Sequence, residues 1–120
     1  MSLETSVRYA GDVAIIDLAG RIVLNDGSAA VREAIAKLRE TGANKILLNL
    51  AGVSFIDSSG LGELASAYAV INKAGGQLKL MNLPARIVDL LRITKLDTVL
   101  IAFPSEPAAL QSFNNGVVSA

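Results

Sequence analysis

The most constraining feature of this chain is a nearly continuous apolar segment near its middle, Lys45-Ile46-Leu47-Leu48-Asn49-Leu50. A strand with one face in water alternates apolar and polar residues, whereas this segment is apolar at consecutive positions. Consecutive apolar positions are typical of a strand covered by helices on both faces. The segment therefore predicts the central strand of an α/β domain.

Helical periodicity flanks this strand on both sides. Before it, Val31, Ile35 and Leu38 recur at spacings of four and three, and Thr41-Gly42 ends the predicted helix. After it, a second apolar stripe predicts a helix that Gly75-Gly76 ends. The residues of the second stripe are Leu61, Leu64, Ala65, Tyr68 and Ile71.

Further turn and capping signals divide the rest of the chain. Asn25, Asp26 and Ser28 offer side-chain oxygens to the first helix, and Ser105 offers one to the last. Pro84 suits the first position of a third helix that ends about Thr94. The buried residues expected in the third and fourth helices are Ile87, Leu90, Leu91, Leu110 and Phe113, and Asn114-Asn115-Gly116 is expected to end the fourth.

Four more segments read as strands. Ser6–Tyr9 and Val13–Leu18 flank the turn Ala10-Gly11-Asp12, which predicts a hairpin whose second strand ends before Gly20. Gln77–Asn82 and Thr98–Phe103 follow the second and third helices. Strands that alternate with helices are joined by right-handed crossovers and run parallel.

The predicted fold is a single α/β domain over residues 1–120, with its core at about 5–114 and a short flexible C-terminal tail. Its sheet is mixed and mostly parallel, with an N-terminal hairpin and about four helices packed on it. No linker or repeat divides the chain, and its length favours one domain over two.

Composition excludes most catalytic chemistry. The chain has eleven Lys plus Arg, eleven Asp plus Glu, and no His, Cys or Trp. Without His or Cys there is no Ser-His-Asp or Cys-His nucleophile pair, no thiolate and no zinc-finger site. We predict that the chain is not an enzyme and uses neither a metal nor another cofactor.

Charge and hydropathy restrict the partners and the compartment. A formal net charge of zero, without any cluster of Lys and Arg, argues against direct binding to nucleic acid. The N-terminus lacks the pattern of a secretory signal, and no apolar run approaches the roughly 18 residues of a spanning helix. We expect a cytoplasmic protein that does not insert into a membrane.

One segment carries functional residues, the stretch Gly52–Glu63 between the central strand and the second helix. Here Asp57, Ser58 and Ser59 precede Gly60 and Gly62, at a junction where open α/β sheets bind ligands and partners. Asp57 or Ser58 can cap the helix, and a phosphate there would face its unpaired amides and positive dipole end. The residues alone leave both interpretations open, a structural cap or a phosphate site.

Three catalytic motifs fail at this segment. A nucleophile elbow needs Gly-x-Ser-x-Gly, but Ile56 stands where the first glycine belongs. A P-loop needs Gly-x-x-x-x-Gly-Lys-Ser/Thr, which is absent. A dinucleotide fingerprint lacks the acidic residue that should end the next strand.

The segment Asp57-Ser58-Ser59-Gly60-Leu61-Gly62 closely resembles the signature of the anti-sigma-factor antagonists, a family of STAS domains. The preceding Val53-Ser54-Phe55-Ile56 and the later Gly75-Gly76 with Leu78-Lys79-Leu80 also match. The resemblance implies a bacterial switch protein. Unphosphorylated, such a protein binds an anti-sigma factor that is also a serine kinase, and so frees a sigma factor. Phosphorylation releases it, and a PP2C-type serine phosphatase restores it.

The resemblance also assigns roles to residues. The phosphoacceptor maps to Ser58, and the partner-binding surface to Asp57, Ser59, Gly60, Leu61 and Gly62. Family members often carry an acidic residue soon after the glycine that ends the second strand. Here Arg21-Ile22-Val23-Leu24 follows Gly20, so Asp26 is the nearest carboxylate and joins the expected partner surface.

Two other functions remain open from the sequence. One is a STAS subunit of a transport or signalling complex that is not phosphorylated. The other is a STAS module that binds a ligand or nucleotide at the helix start beside Ser58. The intact segment Asp57-Ser58-Ser59-Gly60 favours the switch.

Overall fold

The structure is a computed structural model and describes residues 3–118. Over these residues five strands and four α-helices follow one another in the predicted order, and a short 3-10 helix precedes the last strand. The bounds are β1 Glu4–Ala10, β2 Val13–Ile22, α1 Ser28–Glu40, β3 Lys45–Ile56, α2 Ser58–Lys73, β4 Gln77–Met81, α3 Ala85–Ile93, the 3-10 helix Leu96–Thr98, β5 Ala102–Phe103 and α4 Glu106–Val118.

The strands of the described chain form one sheet in the order β1-β2-β3-β4-β5. β1 and β2 are antiparallel and form the predicted hairpin, and Gly11 supplies the positive φ of 61° that its tight turn requires. Every later pair of neighbours is parallel. The mixed, mostly parallel α/β fold predicted from the sequence is confirmed.

Helices cover both faces of the sheet unequally. On one face α1, α2 and α3 enclose the larger core, to which β3 contributes Ile46, Leu48 and Leu50. On the other face α4 places Ala109 and Phe113 over a smaller cluster that includes Leu47. Consecutive residues of β3 therefore point into two separate cores, which confirms the prediction of a central strand covered on both sides. No helix within residues 3–118 has the length and apolarity needed to cross a membrane.

The predicted ends of β2 and β3 were wrong. β2 continues through Gly20 to Ile22, and β3 continues past Leu50 to Ile56. Two shifts of register, between Asp17 and Ala19 and between Gly20 and Arg21, let the pairing continue where glycine suggested an end. As a result the two strands extend up to the functional segment and fix its position.

Capping of the helices differed in part from expectation. None of the oxygens of Asn25, Asp26 and Ser28 caps α1, because Gly27 occupies the N-cap position with φ 114° and no side-chain bond. Pro84 is the N-cap of α3 and not its first residue. At α4, Ser105 accepts a hydrogen bond from the amide of Ala108 at 3.3 Å, as predicted.

Two predictions near the C-terminus also failed. Most of the strand expected over Thr98–Phe103 is not extended, since the 3-10 helix begins after Lys95, which has φ 66°, and only Ala102–Phe103 pair with β4. α4 continues through Asn114-Asn115-Gly116 to Val118, so the low helix propensity of these residues did not end the helix where the sequence predicted. Residues 119 and 120 of the expected tail lie outside the described residues.

Candidate functional site

The site lies where β3 ends and α2 begins. Asp57 is the single residue between them, and it occupies the N-cap position with extended backbone angles, φ −104° and ψ −173°. Its amide donates to the carbonyl of Ile22 at 3.3 Å, which ties the start of α2 to the end of β2. The extra length of β2 and β3 therefore positions the first turn of α2.

The Asp57 carboxylate holds three hydrogen bonds. Oδ1 accepts from the Gly60 amide at 2.9 Å and from the Ser59 hydroxyl at 2.8 Å. Oδ2 accepts from the Leu24 amide at 3.1 Å, across 33 positions of sequence. Of the two caps that the sequence allowed, Asp57 and Ser58, it is therefore Asp57 that caps α2, and it also holds the segment between β2 and α1 beside it.

Hydrogen bonding also sets the ionisation of this carboxylate. The pKa of Asp57 lies below its ordinary value, chiefly because the Gly60 amide and then the Leu24 amide donate to it, with Ser59 adding a further bond. The side chain is therefore a carboxylate at neutral pH, beside the first residue of the helix.

The two serines have different surroundings. Ser58 is exposed as the first residue of α2, and its hydroxyl has no hydrogen-bond partner among the described residues. Ser59 is half-buried and its hydroxyl donates to Asp57. Of these two serines, Ser58 is the one whose hydroxyl is exposed and makes no hydrogen bond to the described residues, so it is the more accessible to an external reagent.

The two glycines of the segment also differ. A Cβ on Gly60 would collide with the carbonyl oxygen of Ile22 and lie 2.6 Å from Cγ1 of Ile56. A Cβ on Gly62 would meet nothing within 4 Å. Gly60 is needed for close packing of α2 on β2, whereas Gly62 leaves open surface one turn after Ser58, on the same side of the helix.

The remaining predicted partner residues lie at different depths. Leu61 is 7% exposed and belongs to the larger core, so it offers a partner little surface. Asp26 is half-buried in the turn between β2 and α1, where the backbones of Val23 and Asp26 exchange two hydrogen bonds of 3.0 Å. The bond from Leu24 to Asp57 brings this turn to the start of α2.

Two exposed apolar side chains near the start of α2 were not predicted from the sequence. Leu24 is 65% exposed and Phe55 is 39% exposed. The Arg21 guanidinium lies 5.5 Å from the centre of the Phe55 ring, and the two residues are paired in the register of β2 and β3. Extension of β3 to Ile56 would have predicted the exposed Phe55, but Gly52 interrupts the apolar run, and Leu24 lies in the turn after β2.

The start of α2 is exposed at Ser58 and holds no cluster of metal-ligating side chains in the part of the chain that the structure describes. Among the described residues no three acidic side chains come together as a metal site requires. The first turn of α2 carries no acidic residue, but the Asp57 carboxylate at its N-cap accepts from the Gly60 amide and already places one negative charge at the positive end of the helix dipole, beside Ser58.

Comparison with known proteins shows which proteins this chain resembles in sequence and in fold. The chain is 32% identical to the anti-sigma-B factor antagonist of Bacillus subtilis over 100 residues, which is 83% of this chain and 90% of that protein. An anti-sigma factor antagonist from Mycobacterium paratuberculosis has the same fold, with a TM-score of 0.83, 22% identity and coverage of 92% and 93% of the two chains.

The Bacillus cell fate determinant SpoIIAA in its phosphorylated form shares the fold as well, with a TM-score of 0.69 and 20% identity over 91% of this chain and 99% of that chain. The family model for the STAS domain matches residues 5–109. The resemblance found in the sequence is thereby confirmed, and the chain belongs to the STAS domain family.

Proposed function

We propose that this chain is a cytoplasmic anti-sigma-factor antagonist whose binding is controlled by phosphorylation of Ser58. With a free hydroxyl it binds an anti-sigma factor that is also a serine kinase, and so releases a sigma factor. Phosphorylation of Ser58 ends that binding, and a PP2C-type serine phosphatase restores it. The anti-sigma-B factor antagonist relative supports the choice of partner.

The observation that carries the proposal is the difference between Ser58 and Ser59. A phosphoacceptor must present its hydroxyl to the kinase, and Ser58 is exposed and unbonded among the described residues. Ser59 would first have to give up its 2.8 Å bond to Asp57. The kinase would therefore act on Ser58, whose Oγ attacks the γ-phosphorus of ATP while ADP leaves and the hydroxyl proton passes to a base of the kinase.

Phosphorylation at this position should leave the fold unchanged. It adds about −1.5 to −2 charges, and the start of a helix favours negative charge. The Asp57 carboxylate is adjacent, but its three hydrogen bonds all come from within the chain and do not depend on Ser58. The change is therefore confined to the surface.

That surface is suited to a partner that packs flat against it. Ser58 and Gly62 lie four residues apart on the exposed side of α2, and neither has a large side chain. Leu24 adds an exposed apolar contact at the rim. A hydrated dianion at Ser58 would have to be desolvated for such an interface to form, and about 1.4 kcal/mol is enough to weaken binding tenfold.

The test uses purified anti-sigma factors from the organism that makes this chain. Each is incubated with ATP and the native chain, Ser58→Ala or Ser59→Ala, and intact mass is measured. We expect the native chain and Ser59→Ala to gain one phosphoryl group and Ser58→Ala to gain none. Phosphorylation of Ser58→Ala would contradict the assignment.

A binding assay completes the test. Ser58→Ala should stay bound to the anti-sigma factor in the presence of ATP, and Ser58→Asp should bind at least tenfold more weakly. Ser66→Asp, at an exposed position two turns further along α2, controls for added charge. Equal binding of Ser58→Ala and Ser58→Asp would refute the switch.

A further inference from the structure

A groove runs between α1 and α2 on the exposed side of these two helices. Each helix connects two parallel strands, so both run in the same direction and lie side by side. Arg32 and Glu63 lie at one end of the groove, and Arg39 and Val70 lie at the other. The groove has a volume of about 360 Å³ and extends over two turns of each helix, about 10 Å.

The groove has an apolar floor and low walls. Ile35 and Ala67 are buried beneath it, and Val70 is 45% exposed. Ala36 and Ser66, the exposed lining residues between its two ends, have short side chains. A third helix can therefore approach both helices closely and cover the apolar side chains, which is the arrangement of helix-in-groove recognition.

The end of the groove nearer the start of the two helices is electrically balanced. There Nε of Arg32 donates to Oε1 of Glu63 at 3.2 Å. The Glu63 side chain is only 14% exposed, so its carboxylate is directed to Arg32 and not to solvent. A partner gains little from placing a charge at this end, because each charge there already has its counter-ion.

The other end carries positive charge that no carboxylate balances. Arg39 lines the groove in the last turn of α1 and takes part in no ion pair with the described residues. Glu40 follows it in sequence but does not line the groove. Lys73, in the last turn of α2, is exposed and likewise has no ion-pair partner in the described chain. Since the helices run in the same direction, both cations lie at this end.

We propose that this groove binds an amphipathic helix of another protein that carries an Asp or Glu at the end facing Arg39. The apolar stripe of that helix covers Ile35, Ala67 and Val70, and this burial supplies affinity. Its carboxylate pairs with the guanidinium of Arg39, with Lys73 close by, and this pair supplies selectivity for an acidic partner.

A helix fits this groove better than a small ligand does. Sites for small molecules enclose most of the ligand surface, whereas Ala36, Ser66 and Val70 are exposed and leave this groove open along its length. Ser58 is not among the lining residues, so the inference does not rest on the phosphorylation switch.

The test measures binding of two synthetic helices by fluorescence anisotropy. Each helix is about 15 residues long and covalently stapled, with leucines spaced to form one apolar stripe. One helix carries two glutamates at an end of the stripe, and the other carries two lysines there. We expect the native chain to bind the glutamate helix saturably and the lysine helix at least about tenfold more weakly. Arg39→Glu should reverse this preference.

Arg86→Glu is the matched control, since it makes the same change of charge at an exposed position of α3 outside the groove. It should leave the preference for the glutamate helix unchanged. Ala36→Phe fills the groove from an exposed position. This substitution should weaken binding of both helices by about tenfold or more, while circular dichroism stays native.

The proposal is wrong if the native chain binds neither helix or binds both equally well. It is also wrong if Arg86→Glu changes the preference as much as Arg39→Glu does, because the effect would then come from net charge and not from the groove. Saturable binding of decanoate that Ala36→Phe abolishes, without binding of the glutamate helix, would instead assign the groove to a small carboxylate with an apolar tail.

Discussion

At the scale of single residues, the Asp57 carboxylate accepts hydrogen bonds from the amides of Gly60 and Leu24 and from the hydroxyl of Ser59. We expect its ionisation to stabilise the fold, because its pKa in the folded chain lies below the ordinary value of 3.8. The folded state then binds fewer protons than the unfolded state, so the contribution is complete above pH 3.8 and is lost as pH falls through the folded pKa.

Comparison of the native chain with Asp57→Asn isolates this contribution. Denaturant unfolding at a series of pH values should show the native chain as the more stable at neutral pH. The difference should shrink on acidification below pH 3.8, because a protonated Asp57 resembles Asn. The lowered pKa values of Asp17 and Glu106 cancel in this comparison. A difference that stays constant over the whole series would contradict the role given to the carboxylate.

The two glycines provide a second prediction at this scale. Gly60→Ala should cost about 1–3 kcal/mol of unfolding free energy, because the backbone oxygen of Ile22 cannot move out of the way of a methyl group. Gly62→Ala should increase stability by about 0.5–1 kcal/mol, since its surroundings are open and alanine favours a helix.

Urea unfolding of both variants measures the change in unfolding free energy. A second measurement compares their affinities for the anti-sigma factor. If the missing side chain at Gly62 keeps the binding surface flat, the Gly62→Ala variant should bind the anti-sigma factor more weakly although it is more stable. Equal stability of the Gly60→Ala variant and the native chain would show that α2 does not pack on β2 as closely as described.

Much of the site could be predicted from residue types alone. The sequence offers either Asp57 or Ser58 as the cap of the helix, and in the structure Asp57 is the cap. The sequence does not distinguish Ser58 from Ser59 by physical reasoning, because one faces solvent and the other faces Asp57 only once α2 has formed. Nor could the bond between Leu24 and Asp57 be predicted, since it depends on two strands ending side by side.

At the scale of secondary-structure elements, the sequence patterns located the four α-helices of the described residues, while the ends of the strands and the 3-10 helix Leu96–Thr98 were the main errors. Gly20 and Gly52 interrupt apolar runs, which predicts turns. In the sheet, Gly52 lies against the second strand, where a Cβ would be 2.8 Å from the Leu18 carbonyl oxygen. Glycine here permits close approach at a bulge, and a single sequence does not separate that role from a turn.

α4 provides the prediction at this scale. It is the helix that covers the second face of the sheet, and its buried Phe113 packs on residues of three strands, including Ile15, Leu47 and Met81. Phe113→Ala should cost about 3–5 kcal/mol of unfolding free energy and should increase hydrogen exchange in α4. α1 to α3 should be less affected, because they share a different core.

Leu110→Ala is the matched control for this experiment. Leu110 is on the same helix but only half-buried at the edge of the cluster, so its loss should cost less. Equal destabilisation by the two substitutions would mean that α4 is held on the sheet by something other than Phe113.

At the scale of the whole molecule, the balance of charge determines how a single phosphate acts. With eleven charges of each sign, the formal net charge is zero, so a phosphate at Ser58 supplies the entire imbalance. Two mechanisms of release follow from this charge. Either the dianion repels a negative partner at a distance, or it resists the loss of its hydration when the interface closes.

Salt distinguishes these mechanisms. At roughly 1 M salt the Debye length is about 3 Å, so repulsion between separated charges is largely screened, whereas the cost of desolvating a phosphate in an interface remains. Because Ser58 lies in a flat surface beside Gly62, we expect desolvation to dominate. The phosphorylated chain should therefore fail to bind the anti-sigma factor at both low and high salt, while the unphosphorylated chain binds at both. Recovery of binding at high salt would instead identify repulsion as the mechanism, and with it a partner surface that is negatively charged opposite Ser58.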